Sequence, residues 1–194
     1  MPRRLFDENL NTPEHYNHSF GNRRFEIDYR EPLRAEAMLR KFNGGRFLEV
    51  GCGVATHCQL AKEIPNSEVY GMDFSDKLIE SLKERFKGIN YSVGDIRDLK
   101  FGDEMFDYIV MGEVIEHMED PAEVLNGVCR ILKKGGILAV STPENDNGSF
   151  SPKEHIWSFS RDELAQFLIP FGKVEASILN ERNHNFIIAY LIKK

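Results

Sequence analysis

Arg46-Phe-Leu-Glu-Val-Gly-Cys-Gly-Val-Ala-Thr56 is the stretch around which the rest of the chain arranges itself. Phe47, Leu48 and Val50 make the short apolar run that a strand buried on both faces requires, and Gly51-x-Gly53 ends it before a helical pattern begins. Two glycines in such a turn remove the Cβ atoms that keep a ligand away from the backbone. The unit therefore reads as a nucleotide cradle, and a lone Gly-x-Gly leaves open which nucleotide it holds. Dinucleotide-binding turns carry a third glycine where this chain has Thr56, and Glu49 stands two places before the first glycine. Both features favour a cationic ligand without phosphates over a dinucleotide.

Outward from the turn, strands and helices alternate. Pro32 opens a helix with Leu33, Ala37, Met38 and Phe42 on one face, stopped by Asn43-Gly-Gly45. After the glycine turn, 55–64 is predicted helical, Glu68–Met72 is a second strand ending at Asp73, and Ser75 caps a helix bearing Leu78, Leu82 and Phe86. Strands are expected at 89–93, 106–111 and 137–141. The last two flank a helix opened by Asp120-Pro121 with Glu123 and broken by Gly135-Gly136. A polar loop, 143–155, precedes the Ser160-x-x-Glu163 capping box, and strands at 173–179 and 186–192 close the chain as an antiparallel hairpin. The pattern predicts an α/β fold: a doubly wound, mostly parallel seven-stranded sheet with an antiparallel C-terminal hairpin and helices on both faces.

Residues 31–194 read as a single domain and residues 1–30 as an amino-terminal arm or lid, in which Phe6, Tyr16, Phe20, Phe25 and Tyr29 follow no period. A partly disordered terminus is the competing reading of that segment. At 194 residues the chain can bury a sizeable core without staples. Its three cysteines are an odd number with no C-x-x-C pair, which fits a reduced, cytoplasmic protein and disfavours zinc. No stretch approaches the ~20 apolar residues of a membrane span, and the opening residues do not read as a signal peptide. A net charge of −6 argues against a broad nucleic-acid surface.

Ligands of open α/β sheets sit outside the carboxyl ends of the strands. Asp73, 22 residues past Gly51, ends the second strand, where a carboxylate can accept from both hydroxyls of a ribose. Asp95 ends the third, where it can accept from an exocyclic amine while Ile96 offers a backbone N–H and Phe74 covers the ring. The motifs Leu48-Glu-Val-Gly-Cys-Gly53, Val69-Tyr-Gly-Met-Asp-Phe-Ser75, Gly94-Asp-Ile96, Phe106 to His117 and Leu132-Lys-Lys-Gly-Gly136, with the terminal hairpin, together resemble the class I S-adenosylmethionine-dependent methyltransferases from about residue 33 onward. The resemblance implies that Glu49, Gly51, Gly53 and Gly112 lie along the methionine part of the methyl donor, Asp73 at its ribose, and Phe74, Asp95 and Ile96 at its adenine. Ala55 departs from the family pattern, which has a third glycine there.

Methyl transfer from a sulfonium is an in-line displacement, so the protein mainly aligns the acceptor and excludes water, and a hydroxyl acceptor needs in addition a base or a metal. Glu113-Val-Ile-Glu116-His117 is the candidate, since residues i, i+3 and i+4 of a helical turn share a face. The E-x-x-E-H pattern resembles ubiquinone-pathway O-methyltransferases and small-RNA terminal 2′-O-methyltransferases, and His155 matches in placement the further histidine of the RNA branch. Three roles stay open: a divalent cation such as Mg held by Glu113, Glu116, His117 and His155; His117 or His155 as a general base, with Glu113, without metal; or a structural role. The acidic chain and the short loop 143–155 disfavour RNA. The expected reaction is O-methylation of a small molecule or saccharide, with N-methylation as an alternative. Trp157 and Phe159 are candidate walls of the acceptor pocket, with ordinary core filling an equally good reading of Trp157. A cofactor-binding sensor or inactive partner subunit is the non-enzymatic reading, disfavoured by the polar trio Glu113, His117 and His155. A nicotinamide-dependent oxidoreductase would need the glycine that Thr56 replaces.

Overall fold

The computed structural model describes residues 2–6, 11–21, 32–147 and 154–194. In chain order the elements are β1 (Arg3–Arg4), α1 (Pro13–Gly21), α2 (Pro32–Leu39), β2 (Gly45–Val50), α3 (Thr56–Lys62), β3 (Ser67–Asp73), α4 (Asp76–Arg85), β4 (Asn90–Val93), β5 (Phe106–Gly112), α5 (Pro121–Ile131), β6 (Leu132–Pro143), β7 (Trp157–Ser158), α6 (Arg161–Leu168), β8 (Gly172–Glu181) and β9 (His184–Lys193). Seven strands form one sheet in the order β4-β3-β2-β5-β6-β9-β8. The first five are parallel, and β9 runs antiparallel to both β6 and β8. This is the expected fold class. The chain leaves β2 toward β3 and β4 on one side and returns to β5 on the other, so the order reverses at β2/β5 and opens a crevice at that end of the sheet.

The pleat of β2 divides its side chains between two cores. Phe47 packs with Met38, Phe42, Leu78, Ile79, Tyr108 and Tyr190 on the face carrying α2, α3 and α4. Leu48 and Val50 pack with Ile109, Met111, Val124, Leu125, Val128, Leu164 and Leu168 on the face carrying α5 and α6. Burial on both faces is why this strand reads as a continuous apolar run rather than an alternation. Two tyrosines fix α2 to the sheet: Tyr108 Oη donates to Met38 O at 2.7 Å, and Tyr190 Oη donates to Ala37 O. The Tyr108 bond is buried, so Tyr108→Phe leaves the Met38 carbonyl without its partner. We expect a loss of about 1–2 kcal/mol in urea unfolding with an unchanged m-value.

Helix starts follow the local chemistry of the sequence. Ser75 Oγ accepts from Leu78 N, Asp120 caps α5 through Ala122 N and Glu123 N, and Ser160 with Glu163 completes the capping box of α6. Three boundaries differ from the sequence pattern. The helix after Pro32 ends at Leu39, although Phe42 beyond it is still buried. The pair Gly135-Gly136 does not separate helix from strand, because β6 already begins at Leu132. Phe106 pairs with Leu132 and Tyr108 with Ile137, so residues 133–136 are looped out as a bulge inside the strand. The terminal hairpin is longer than its apolar pattern: it closes on Arg182-Asn183, with φ of 54° and 66°, the two-residue turn whose twist matches paired strands.

The amino-terminal segment makes two kinds of contact with the sheet domain. β1 pairs antiparallel with β7, and Leu5 N donates to Ile156 O at 2.7 Å. Helix α1 lies against α4, where Ser75 Oγ donates to Asn17 Oδ1. Phe25 and Tyr29 lie outside the described residues. Among the described residues no helix is long and apolar enough to cross a membrane.

Candidate functional site

Parallel register brings the strand ends together: Val50 pairs with Met72, Asp73 with Val93, Glu49 with Val110 and Gly112 with Ser141. Over this edge lies a cavity of about 500 Å³. Its lining includes every residue expected along the methyl donor, Glu49, Gly51, Gly53, Asp73, Phe74, Asp95, Ile96 and Gly112, together with Glu113, His117 and His155.

The turn after β2 needs its glycines for two different reasons. Gly51, at φ +64°, faces Val114, whose Cγ2 would stand 2.7 Å from a Cβ. Gly53, at φ +49°, has nothing within 4 Å of that position, so a side chain there would enter the cavity. Ala55 holds φ 60° as the residue before α3, which accounts for the glycine that the family pattern places there. Its Cβ is fully buried, and this offsets part of the left-handed strain. Ala55→Gly should therefore shift stability by no more than about 0.5 kcal/mol and leave donor affinity within about twofold, as thermal unfolding and calorimetric titration would show.

Asp73 is 6% exposed, and each of its oxygens already accepts one backbone N–H, Oδ2 from Gly53 and Oδ1 from Ser75, both at 3.0 Å. Burial raises its pKa while those donors pull it down. A carboxylate has about four acceptor positions, so one remains on each oxygen for a diol. Asp95 is tied to the Arg97 guanidinium, whose hydrogen bonds hold the carboxyl below its usual range. Phe74 faces Tyr16 from α1 with ring centroids 5.1 Å apart, so the arm supplies part of the cavity wall. Glu49 bridges to α3: Oε2 accepts from Cys58 N at 2.9 Å, and Oε1 lies 2.6 Å from His57 Nδ1. His57 Nε2 is buried and makes no hydrogen bond.

The E-x-x-E-H stretch does not form the single face that a regular helix would. Glu113 follows β5 at φ 53°, and only Ile115–His117 make one 3-10 turn. Glu113 Oε1 accepts from Ser141 Oγ at 2.9 Å and Oε2 lies 3.4 Å from Arg34 Nη1, and this carboxylate is not part of the group that the other three candidates form. Glu116, His117 and His155 do converge, with ligating atoms all within 4.8 Å of one another. His117 Nδ1 donates to Glu154 O at 2.8 Å and His155 Nδ1 lies 2.8 Å from Asp146 Oδ2, so both rings are oriented through Nδ1. The two rings meet edge to face at 4.7 Å.

Glu116 is 1% exposed, and neither oxygen has a hydrogen bond of ordinary geometry, Thr142 giving only a weak approach. Burial, reinforced by the charge of Glu113, pushes its pKa well above the carboxylate range. Burial also raises Glu113, against the pull of Arg34. His117 is pushed down to about 4 by burial and then by His155. A buried orphan carboxylate beside two oriented imidazoles fits a divalent cation of intermediate hardness, which would reverse these shifts.

Trp157 and Phe159 do not form the expected acceptor wall, because neither lines the cavity. Trp157 Nε1 donates to Met118 O and its ring lies under Arg4, while Phe159 is fully buried in the α5/α6 core. Residues that the sequence reading passed over, Asn11, Tyr16, Arg34, His57 and Ser141, line the cavity instead. His57 carried a usable signal, as the first-turn histidine of a helix that begins beside a strand-end glutamate.

Residues 41–176 match the family model described as a methyltransferase domain. A probable S-adenosylmethionine-dependent methyltransferase of Mycolicibacterium smegmatis is 28% identical over 130 residues, 67% of this chain and 47% of that protein. A demethylmenaquinone methyltransferase of Geobacillus kaustophilus is 29% identical over 167 residues, 80% of this chain and 69% of that protein. The chain spans about half the length of the first of these relatives. A crystal structure of a Pyrococcus horikoshii protein superposes with a TM-score of 0.69 over 92% of this chain and 98% of the other at 21% identity, a likeness of fold.

Proposed function

Because the chain belongs to the class I S-adenosylmethionine-dependent methyltransferases, we propose that it O-methylates a small molecule or saccharide at the Glu113, His117 and His155 end of the cavity, assisted by a divalent cation. The observation that carries this reading is the convergence of Glu116, His117 and His155, with both imidazoles oriented through Nδ1 and the Glu116 oxygens left without partners. A carbon or amine acceptor would give no reason to keep an unpartnered carboxylate in the core.

In this reading the chain's own groups divide the work. Asp73 accepts from the ribose hydroxyls, Phe74, Asp95 and Ile96 bound the adenine, and Gly51 and Gly53 let the methionine part reach the backbone. Glu49 and His57 face its ammonium end. The bound sulfonium supplies a methyl group already activated for displacement, and a cation such as Mg supplies Lewis acidity that lowers the pKa of an acceptor hydroxyl. Glu116, His117 and His155 would hold that cation. Glu113, steadied by Ser141 and Arg34, stands next to them as the group able to take up the acceptor proton. Tyr16 and Asn11 close the outer side, where exclusion of water favours the displacement. We read the arm accordingly as a lid.

The Geobacillus relative is named for methylation of a menaquinone precursor, and carbon methylation by base alone is the second reading. One assay separates the two: transfer of labelled methyl groups to a panel of catechols, sugars, quinols and short RNAs, with and without chelator. Loss of transfer to hydroxyl acceptors on chelation, restored by Mg²⁺ or Mn²⁺, supports the proposal. Transfer to a quinol carbon indifferent to chelator would replace it.

A further inference from the structure

One carbonyl serves both the cation cluster and the arm. Glu154 O accepts from His117 Nδ1 at 2.8 Å and from Asn11 Nδ2 at 2.9 Å, and the same Asn11 nitrogen reaches His117 O at 3.3 Å. The amide orientation is defined by its other end, where Tyr16 Oη donates to Asn11 Oδ1 at 2.9 Å. The Tyr16 ring in turn lies 5.1 Å from Phe74, at the adenine side of the cavity. A continuous line of contacts therefore runs from the imidazole of a candidate cation ligand through Glu154, Asn11 and Tyr16 to a wall of the donor site. Its two segments are also joined by Ile156 N donating to Glu116 O at 2.9 Å.

We propose that Asn11 is a positioning residue that couples cation binding to retention of the methyl donor. Glu116, His117 and His155 would hold the cation, and the His117 ring, already bonded to Glu154 O, would then be less able to leave the Glu154-His155 segment. The Glu154 and His117 carbonyls already stand within reach of one amide N–H₂, and a bound cation would hold them at that spacing. With Asn11 so held, Tyr16 is set over Phe74 and the bound donor loses its way out. The coupling is reciprocal by thermodynamic necessity, so the donor must tighten the cation by the factor by which the cation tightens the donor. The arm has further anchors in the β1/β7 pair, the Asn17–Ser75 bond and His15 at 2.9 Å from Glu154 Oε1. Loss of Asn11 removes the link without freeing the arm. The inference rests on the cation reading given above.

The test is a pair of calorimetric titrations of the full chain, S-adenosylhomocysteine with and without saturating Mn²⁺, and Mn²⁺ with and without S-adenosylhomocysteine. We expect each ligand to tighten the other about tenfold. In Asn11→Ala both ligands still bind and the factor drops below about twofold. Asn11→Asp, nearly the same shape and still an acceptor for Tyr16, loses both donated bonds and shows the same drop, which guards against a folding defect in the alanine variant. Equal affinities with and without bound Mn²⁺, or a factor unchanged in both variants, would overturn the proposal. Failure of Mn²⁺ to bind the wild-type chain, visible in the Mn²⁺ titration alone, would remove the cation reading and this inference with it.

Discussion

Asp73→Ala is expected to raise the dissociation constant of S-adenosylhomocysteine about a hundredfold. Two backbone donors hold the carboxyl group in place, and one acceptor position on each oxygen is left for the ribose diol. Two hydrogen bonds to a charged group are worth about 3 kcal/mol together, which is the stated factor. Asp73→Asn keeps one acceptor and is expected to lose about half of that free energy. The alanine variant also leaves Gly53 N–H and Ser75 N–H without their acceptor, so its melting temperature is measured alongside. Affinity within threefold of wild type in a folded Asp73→Ala protein would take the ribose away from this residue.

Glu116→Met separates stability from activity in opposite directions. The carboxylate is 1% exposed without ordinary hydrogen bonds, close to the half-buried Glu113. Replacing it by an apolar side chain of similar length removes a desolvation cost of about 1–3 kcal/mol from the metal-free protein. Thermal unfolding of Glu116→Met in chelator is therefore expected several degrees above wild type. In the same variant Mn²⁺ affinity falls more than about a hundredfold, because one of three clustered ligands is gone and the imidazoles alone bind weakly. A purely structural Glu116 would give a destabilised variant with unchanged cation response, and that result would end the cation reading.

The donor half of the site was legible in sequence because backbone constraints mark it. Strand ends, glycines at left-handed positions and single carboxylates at those ends stand at spacings set by the sheet, so Glu49, Gly51, Gly53, Asp73 and Asp95 all line one cavity. The acceptor half depends on loops. A regular helix over 113–117 was the premise for placing Glu113 with Glu116 and His117. The left-handed backbone at Glu113 breaks that premise and sends its carboxylate to Ser141 and Arg34. Asp146, which orients His155, stands in a polar loop with no period to mark it. Asn11 and Tyr16 lie in a segment without alternation or helical spacing, and only their contacts with Glu154 and Phe74 give them meaning. Trp157 misled because aromatic composition next to His155 suggested a pocket, whereas its indole is spent on Met118 O.

Glu49 meets two demands at once. One carboxylate oxygen holds the first turn of α3 through Cys58 N, the other holds His57, and the same side chain faces the cavity. A substitution that retuned the ligand would at the same time loosen a helix on which Cys58 and Ala61 close the core. The donor edge is thus frozen into the folding of the domain. Lineages descending from such a chain are expected to change what they methylate far more readily than what they methylate with.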